Sequence, residues 1–152
     1  MRCSSSSLQG RSIVEAHYHL CFQVGRVARQ LISHYNRVLA PLGLTTAQYF
    51  VLVAIKPDEA PTMGELSNRT YLDNSTLTPI VDRLERDGWL ERMSDPTDRR
   101  TTRIQLTSSG LERLPDARQR GDAVENAMRE QLGDPLVDLL TDGLRKVARI
   151  EL

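Results

Sequence analysis

The 152 residues, 39% of them hydrophobic and 26% charged, suffice for one folded domain, alone or with a dimerisation layer added to it. The longest apolar run is YFVLVAI, Tyr49 to Ile55, too short to cross a bilayer, so no membrane association is expected. Twenty Lys and Arg balance twenty Asp and Glu, and all but Lys56 and Lys146 of the basic residues are Arg; bulk charge therefore gives no argument for a nucleic-acid partner, which would have to be gripped by locally placed arginines.

The opening MRCSSSSLQG has an arginine but no apolar stretch of the kind a secretory signal needs, so residues 1–12 are expected to form a flexible tail and the protein to be cytoplasmic. Cys3 and Cys21 are too few for a disulfide framework or a zinc site, and both are expected as reduced thiols. From Ile13 to Ala40, Val14, His17, Cys21, Val24, Ala28, Leu31, Tyr35 and Val38 recur at steps of three and four, the stripe of one long helix. PLGLT ends it. Thr45 and Gln48 have capping-box spacing, and the helix they open is expected to run through YFVLVAI to Pro57 at the centre of the domain.

TMGELSNR after Pro61 and NSTLTPIVDRLERDG, closed by Gly88, read as two short helices with a tight link, a helix-turn-helix. WLERM, the turn-rich SDPTDRR and TTRIQL then read as a two-stranded hairpin, a wing. Ser109 and Glu112 have the spacing of a second capping box, with Pro115 expected to bend the following helix or delay its start. A last helix is expected to be capped by Asp134 with Pro135 at its first position, and to carry Leu136, Leu140, Leu144 and Val147 on one side. The fold class is thus mainly α with a small β-hairpin wing.

In the second helix of the pair, Leu77, Ile80, Val81 and Leu84 follow i, i+3, i+4, i+7 spacing and face inward. Thr76, Pro79, Arg83 and Arg86 then face out, and with Ser75 and Thr78 they form an edge suited to a major groove, hydroxyl and apolar groups meeting thymine methyls and phosphates while Arg grips guanine or backbone. The wing adds Asp98, Arg99, Arg100 and Arg103 at a hairpin tip; an arginine there suits a narrow minor groove, with Asp98 expected to hold the Arg100 guanidinium. A competing reading makes the same charges a solvated face for protein contacts, since residues 62–106 carry seven Arg against eight acidic groups.

Between Thr45 and Gly110, GLTTAQYFVL, MGELSNRT, STLTPIVDRLERDGWLER, DPTDRR and LTSSG stand in an order and spacing that resembles the MarR family of bacterial winged-helix repressors. The resemblance implies a winged helix-turn-helix at 45–107, N- and C-terminal dimerisation helices at 13–44 and 108–152, and a homodimer on a pseudo-palindromic double-stranded operator. LCF at 20–22, Gln48-Tyr49 and YLDNSTLTP are similar to the OhrR branch, which senses organic hydroperoxides through one cysteine; Cys21 stands at its position. Tyr35 matches one tyrosine that bonds the thiol across the dimer in that branch, and Thr46 replaces the other.

Fourteen residues separate Cys21 and Tyr35, about 21 Å along a helix, so they meet only if two such helices pair antiparallel. A thiol at that seam would react with a peroxide to give a sulfenic acid, and the added bulk would shift the two reading heads; the plain alternative is an inert packed cysteine. Thr46 in place of tyrosine keeps a rival effector open, a small phenolic or aromatic ligand in the dimer crevice. His17 and His19, two apart on a helix, point to different faces, so no metal is expected, and no cofactor either. No resolving cysteine with a matching motif, nucleotide loop or acid-base cluster is evident, so an enzyme is not expected.

Overall fold

A computed structural model describes residues 19–150 except Arg99. The chain divides into two compact units, residues 1–34 and 35–152. Among the described residues the elements are α1 (Leu20–Leu39), a short 3-10 turn (Ala40–Leu42), α2 (Thr46–Val53), α3 (Met63–Thr70), α4 (Asn74–Arg86), β1 (Leu90–Ser94), β2 (Thr102–Leu106), α5 (Ser108–Leu132) and α6 (Asp134–Val147). The mainly helical reading with one hairpin holds. The expected start of the first helix at Ile13, its stripe residues Val14 and His17, and the tail with Cys3 lie outside the described residues.

The first unit contributes the leading turns of α1, where Cys21, Val24, Val27 and Ala28 are all exposed, as are His19 and His34. The second unit holds the core, in which Leu39, Leu52, Leu66, Leu77, Leu84, Trp89 and Ile104 are almost wholly removed from water. Full burial of each such side chain favours folding by roughly 1.5–3 kcal/mol, so this cluster is what sets the helix-turn-helix and wing in place.

The capping box on α2 forms as expected, Thr45 Oγ1 accepting from Gln48 N at 3.3 Å and Gln48 Oε1 from Thr45 N at 2.8 Å. Two expectations for α2 are corrected. It stops at Val53, short of Pro57, because Ala54 and Ile55 close a turn onto Phe50 and Leu52 carbonyls; and Phe50 is 45% exposed, so the apolar run is not uniformly central. Thr62 and Glu65 make a second capping box, on α3, at 2.7 and 3.2 Å. The T-x-x-E spacing of Thr62 and Glu65 is the sequence signal for this cap.

Asp73 caps α4, accepting from Thr76 N at 2.8 Å, and Gly88 at φ 74° follows its C-cap Asp87. The two strands pair antiparallel from Leu90 opposite Leu106 to Ser94 opposite Thr102. Ile104 N donates to Pro61 O at 2.9 Å, which pins the root of the wing to the segment that opens α3.

The cap of α5 is Thr107 rather than Ser109, its hydroxyl accepting from Gly110 N at 2.9 Å. Pro115 does not delay the start of the helix: α5 runs from Ser108 through it to Leu132. The missing hydrogen bond is offset by packing, since Gly110, Leu114, Ala117, Gly121 and Val124 form one buried stripe along it. Gly133, not Asp134, precedes α6; Asp134 is its first helical residue, and its carboxylate accepts from Arg129 at 3.0 Å. Leu136, Leu140, Leu144 and Val147 do share a side of α6, exposed in the single chain.

Candidate nucleic-acid interface

The amphipathic spacing of α4 decides which side chains are left facing water. Leu77, Val81 and Leu84 are fully buried and Ile80 partly so; Ser75, Thr76, Thr78, Pro79, Arg83 and Arg86 are all exposed. The hydroxyls at the start of the helix are engaged locally. Ser75 Oγ donates to Asp73 Oδ1 at 2.5 Å, Thr76 Oγ1 to Asp73 Oδ2 at 3.1 Å and Thr78 Oγ1 to the Asn74 carbonyl at 2.7 Å. The Ser75 hydroxyl, then the Thr76 N–H, hold the Asp73 carboxyl below its usual range. These side chains still offer oxygen lone pairs and methyl groups to a groove.

The arginines of this region fall into two sets. Arg69 donates to Glu59 at 2.6 Å and to the Ala54 carbonyl at 2.9 Å. Arg92 on β1 donates to Asp82 at 2.6 Å and also pairs with Glu85, so that two acidic side chains of α4 share one guanidinium of the wing strand. Arg103 pairs with Asp95 and donates to the Ala60 carbonyl at 2.9 Å. The second set stays in solvent. Arg83 has one loose contact with Asp87 at 3.6 Å, and Arg86 and Arg100 have no ion pair among the described residues.

Two expectations for the wing are therefore corrected. Asp98 does not hold the Arg100 guanidinium; its Oδ1 accepts from the Arg100 backbone N–H at 3.0 Å and its Oδ2 from Thr101 Oγ1 at 2.9 Å, because a carboxylate two residues upstream closes a turn more readily than it reaches a long side chain. Arg103 is not at the tip but turned back to Asp95. Arg99 lies outside the described residues. Asp95 is what the sequence reading missed: its buried carboxylate accepts from Thr97 Oγ1 at 2.6 Å, Thr97 N at 2.7 Å and Asp98 N at 3.2 Å, and these bonds with Arg103 hold it well below the usual carboxylate range. D-x-T-D in a turn-rich segment is the signal that was available.

Of the three residues expected to sense an effector, Cys21 lies in the first turn of α1, exposed. Tyr35 and Thr46 belong to the second unit. Tyr35 is half-buried in an aromatic cluster, its ring centroid 6.0 Å from Tyr49 and 5.5 Å from Phe50. Burial, then the nearby Glu125 carboxylate, push the Tyr35 hydroxyl above its ordinary value, and burial followed by Asp122 does the same to Tyr49, so both phenols are neutral donors at physiological pH. Thr46 is buried, and its N–H and hydroxyl both donate to Asn36 Oδ1 at 2.8 Å. Among the described residues no group of three or more His, Cys, Asp or Glu is arranged to hold a metal, and no helix is long and apolar enough to cross a membrane.

Residues 44–102 match the MarR family model. The HTH-type transcriptional regulator SarZ of Staphylococcus haemolyticus is 33% identical over 105 residues, which span 69% of this chain and 71% of that protein. Among solved structures, a mutant MarR from E. coli complexed with operator DNA aligns with a TM-score of 0.79 and 28% identity, covering 90% of this chain and 98% of that one. CouR from Rhodococcus jostii RHA1 bound to p-coumaroyl-CoA aligns with a TM-score of 0.77 and 28% identity over 94% of this chain and 99% of that one.

Proposed function

Because the chain belongs to the MarR family of transcriptional regulators, we propose that it is a homodimeric repressor that places α4 in the major groove and the wing tip in the minor groove of a pseudo-palindromic operator, and lets go when Cys21 is oxidised by an organic hydroperoxide. The observation that carries the DNA reading is the sorting of charge just described. Arg92 and Arg103 are taken up in ion pairs with Asp82, Glu85 and Asp95, two positive charges against three negative, while Arg83, Arg86 and Arg100 are left exposed to meet a polyanion. Ser75, Thr76, Thr78 and Pro79 supply the groove-facing edge, and Asp98 with Arg99 and Arg100 the tip.

Dimerisation is supported by apolar faces left in water. Leu136, Leu140, Leu144 and Val147 of α6 are 42 to 51% exposed, and Leu20, Val24 and Val27 of α1 are 38 to 57% exposed. A second copy that covers them gains roughly 25 cal/mol for each Å² removed from water. In this reading 13–44 and 108–152 are the dimer-forming segments and 45–107 the DNA-binding one.

For release, the Cys21 sulfur attacks one oxygen of the hydroperoxide; the S–O bond forms as the O–O bond breaks, the sulfur is oxidised to a sulfenic acid, and the other oxygen leaves as the alcohol with the thiol proton. Cys21 is exposed in the single chain, and the reading requires that it stay open to a peroxide in the dimer. A second reading, release by a small aromatic ligand, is favoured by the Tyr35, Tyr49 and Phe50 cluster, whose Phe50 is 45% exposed, and by the ligand-bound CouR relative.

The test is to select duplex fragments bound by the protein from the source genome and to follow their release with cumene hydroperoxide. The parent is expected to release and Cys21→Ser to remain bound. If Cys21→Ser releases as readily, the thiol has no part in it and the ligand reading takes over.

A further inference from the structure

Among the described residues Tyr71, 95% exposed, is the most exposed of the large apolar or aromatic side chains and the one non-glycine with positive φ, 56° with ψ 26°. That left-handed geometry at the C-cap of α3 disfavours a residue with a Cβ. The next residue explains why the phenol points out. Leu72 packs against the core, and its carbonyl accepts from Ser67 Oγ at 2.6 Å, so the turn is tied down on one side and Tyr71 is displayed on the other.

Asp73, two residues on, is the N-cap of α4, which puts the Tyr71 backbone within about 7 Å of the end of the helix that carries Ser75 and Thr76. At that end the hydroxyl protons of Ser75, Thr76 and Thr78 are already given to Asp73 and to the Asn74 carbonyl. The Tyr71 hydroxyl has no hydrogen-bond partner among the described residues. It is the uncommitted side-chain hydroxyl donor at the entry to the reading helix.

We propose that Tyr71 is a DNA-contacting residue whose phenol donates a hydrogen bond to a phosphate oxygen beside the groove that α4 enters; this rests on the placement of α4 proposed above. The contact is neutral, so it fixes register and adds affinity without displacing a counterion. Its signature is thereby separable from that of an arginine.

Full-length Tyr71→Phe, Tyr71→Gly and Arg83→Ala proteins are titrated with the selected duplex at several salt concentrations, with thermal unfolding of each. Both Tyr71 variants are expected to bind roughly tenfold more weakly with the salt slope unchanged, while Arg83→Ala weakens binding and flattens the slope. Tyr71→Gly is expected to melt no lower than the parent, since glycine relieves the left-handed turn, which separates lost contact from lost fold. If Tyr71→Phe binds like the parent, the phosphate bond is wrong. If both Tyr71 variants bind like the parent while Arg83→Ala does not, the proposal fails and the α4 reading stands; if Arg83→Ala also binds like the parent, that reading fails and takes the proposal with it.

Discussion

Arg92 of β1 reaches Asp82 of α4 at 2.6 Å, and the same guanidinium pairs with Glu85 one turn further along, so a single side chain joins the wing strand to the reading helix. All three side chains are partly exposed, which limits the stability this network adds to about 1 kcal/mol. Its larger effect is on charge and register. Arg92→Ala is expected to lower the thermal midpoint by a few degrees at most while weakening operator binding more than tenfold, because two uncompensated carboxylates are left beside Arg83 and Arg86. Adding Asp82→Asn and Glu85→Gln to that variant is expected to restore much of the binding, as titration of the selected duplex would register.

Arg86 and Arg100 are expected to behave as phosphate or groove contacts. Replacing either by Ala should lower the slope of log affinity against log salt by about 0.9 for each phosphate it neutralises, with little change in stability. Arg69→Ala serves as the contrast, because its guanidinium is spent on Glu59 and the Ala54 carbonyl. A slope that changes as much for Arg69→Ala as for Arg100→Ala would contradict the sorting of arginines drawn above.

Two glycines on the inner face of α5 permit close approach. A Cβ on Gly121 would lie 2.1 Å from the Tyr49 hydroxyl, and one on Gly110 would lie 2.2 Å from the Trp89 carbonyl oxygen. Gly121→Ala is expected to destabilise by roughly 1–3 kcal/mol as the Tyr49 ring is pushed aside. Gly110→Ala is expected to cost more, because a backbone carbonyl next to the fully buried Trp89 has nowhere to go. Urea unfolding ranks the two, and the opposite order would contradict this account of the packing.

Asp95 makes the wing acid-sensitive. Its folded carboxyl titrates below the unfolded one, so the stability it contributes is complete above the unfolded value near 4 and is lost as pH falls from there toward the folded value. Thermal midpoints measured downward from pH 6 should fall more steeply for the parent than for Asp95→Asn, which starts lower at neutral pH and has no such proton to take up. Parallel curves would show that the carboxylate does not link the wing to pH.

The fold was legible wherever the deciding relation is local. Thr45 with Gln48 spelled the cap of α2, the three-four spacing of Leu77, Ile80, Val81 and Leu84 fixed which side of α4 is buried, and alternation around a turn-rich DPTD segment gave the wing. The cap expected at Ser109 falls two residues earlier on Thr107, another hydroxyl equally able to cap, and the one expected at Asp134 falls one residue earlier on Gly133, which has no side chain to cap with; in both the backbone path chooses.

By itself the sequence settled the order of the elements, their amphipathic faces and most of their ends, because each depends on residues three or four apart along one strand or helix. Which arginines face solvent and which are spent was decided only in three dimensions: Arg92 and Asp82 are ten residues apart, Arg103 and Asp95 eight, Tyr49 and Gly121 on different helices. Charge pairing and close packing depend on how separate elements approach one another, and that approach is set by burying the common core around Leu52, Leu84 and Trp89.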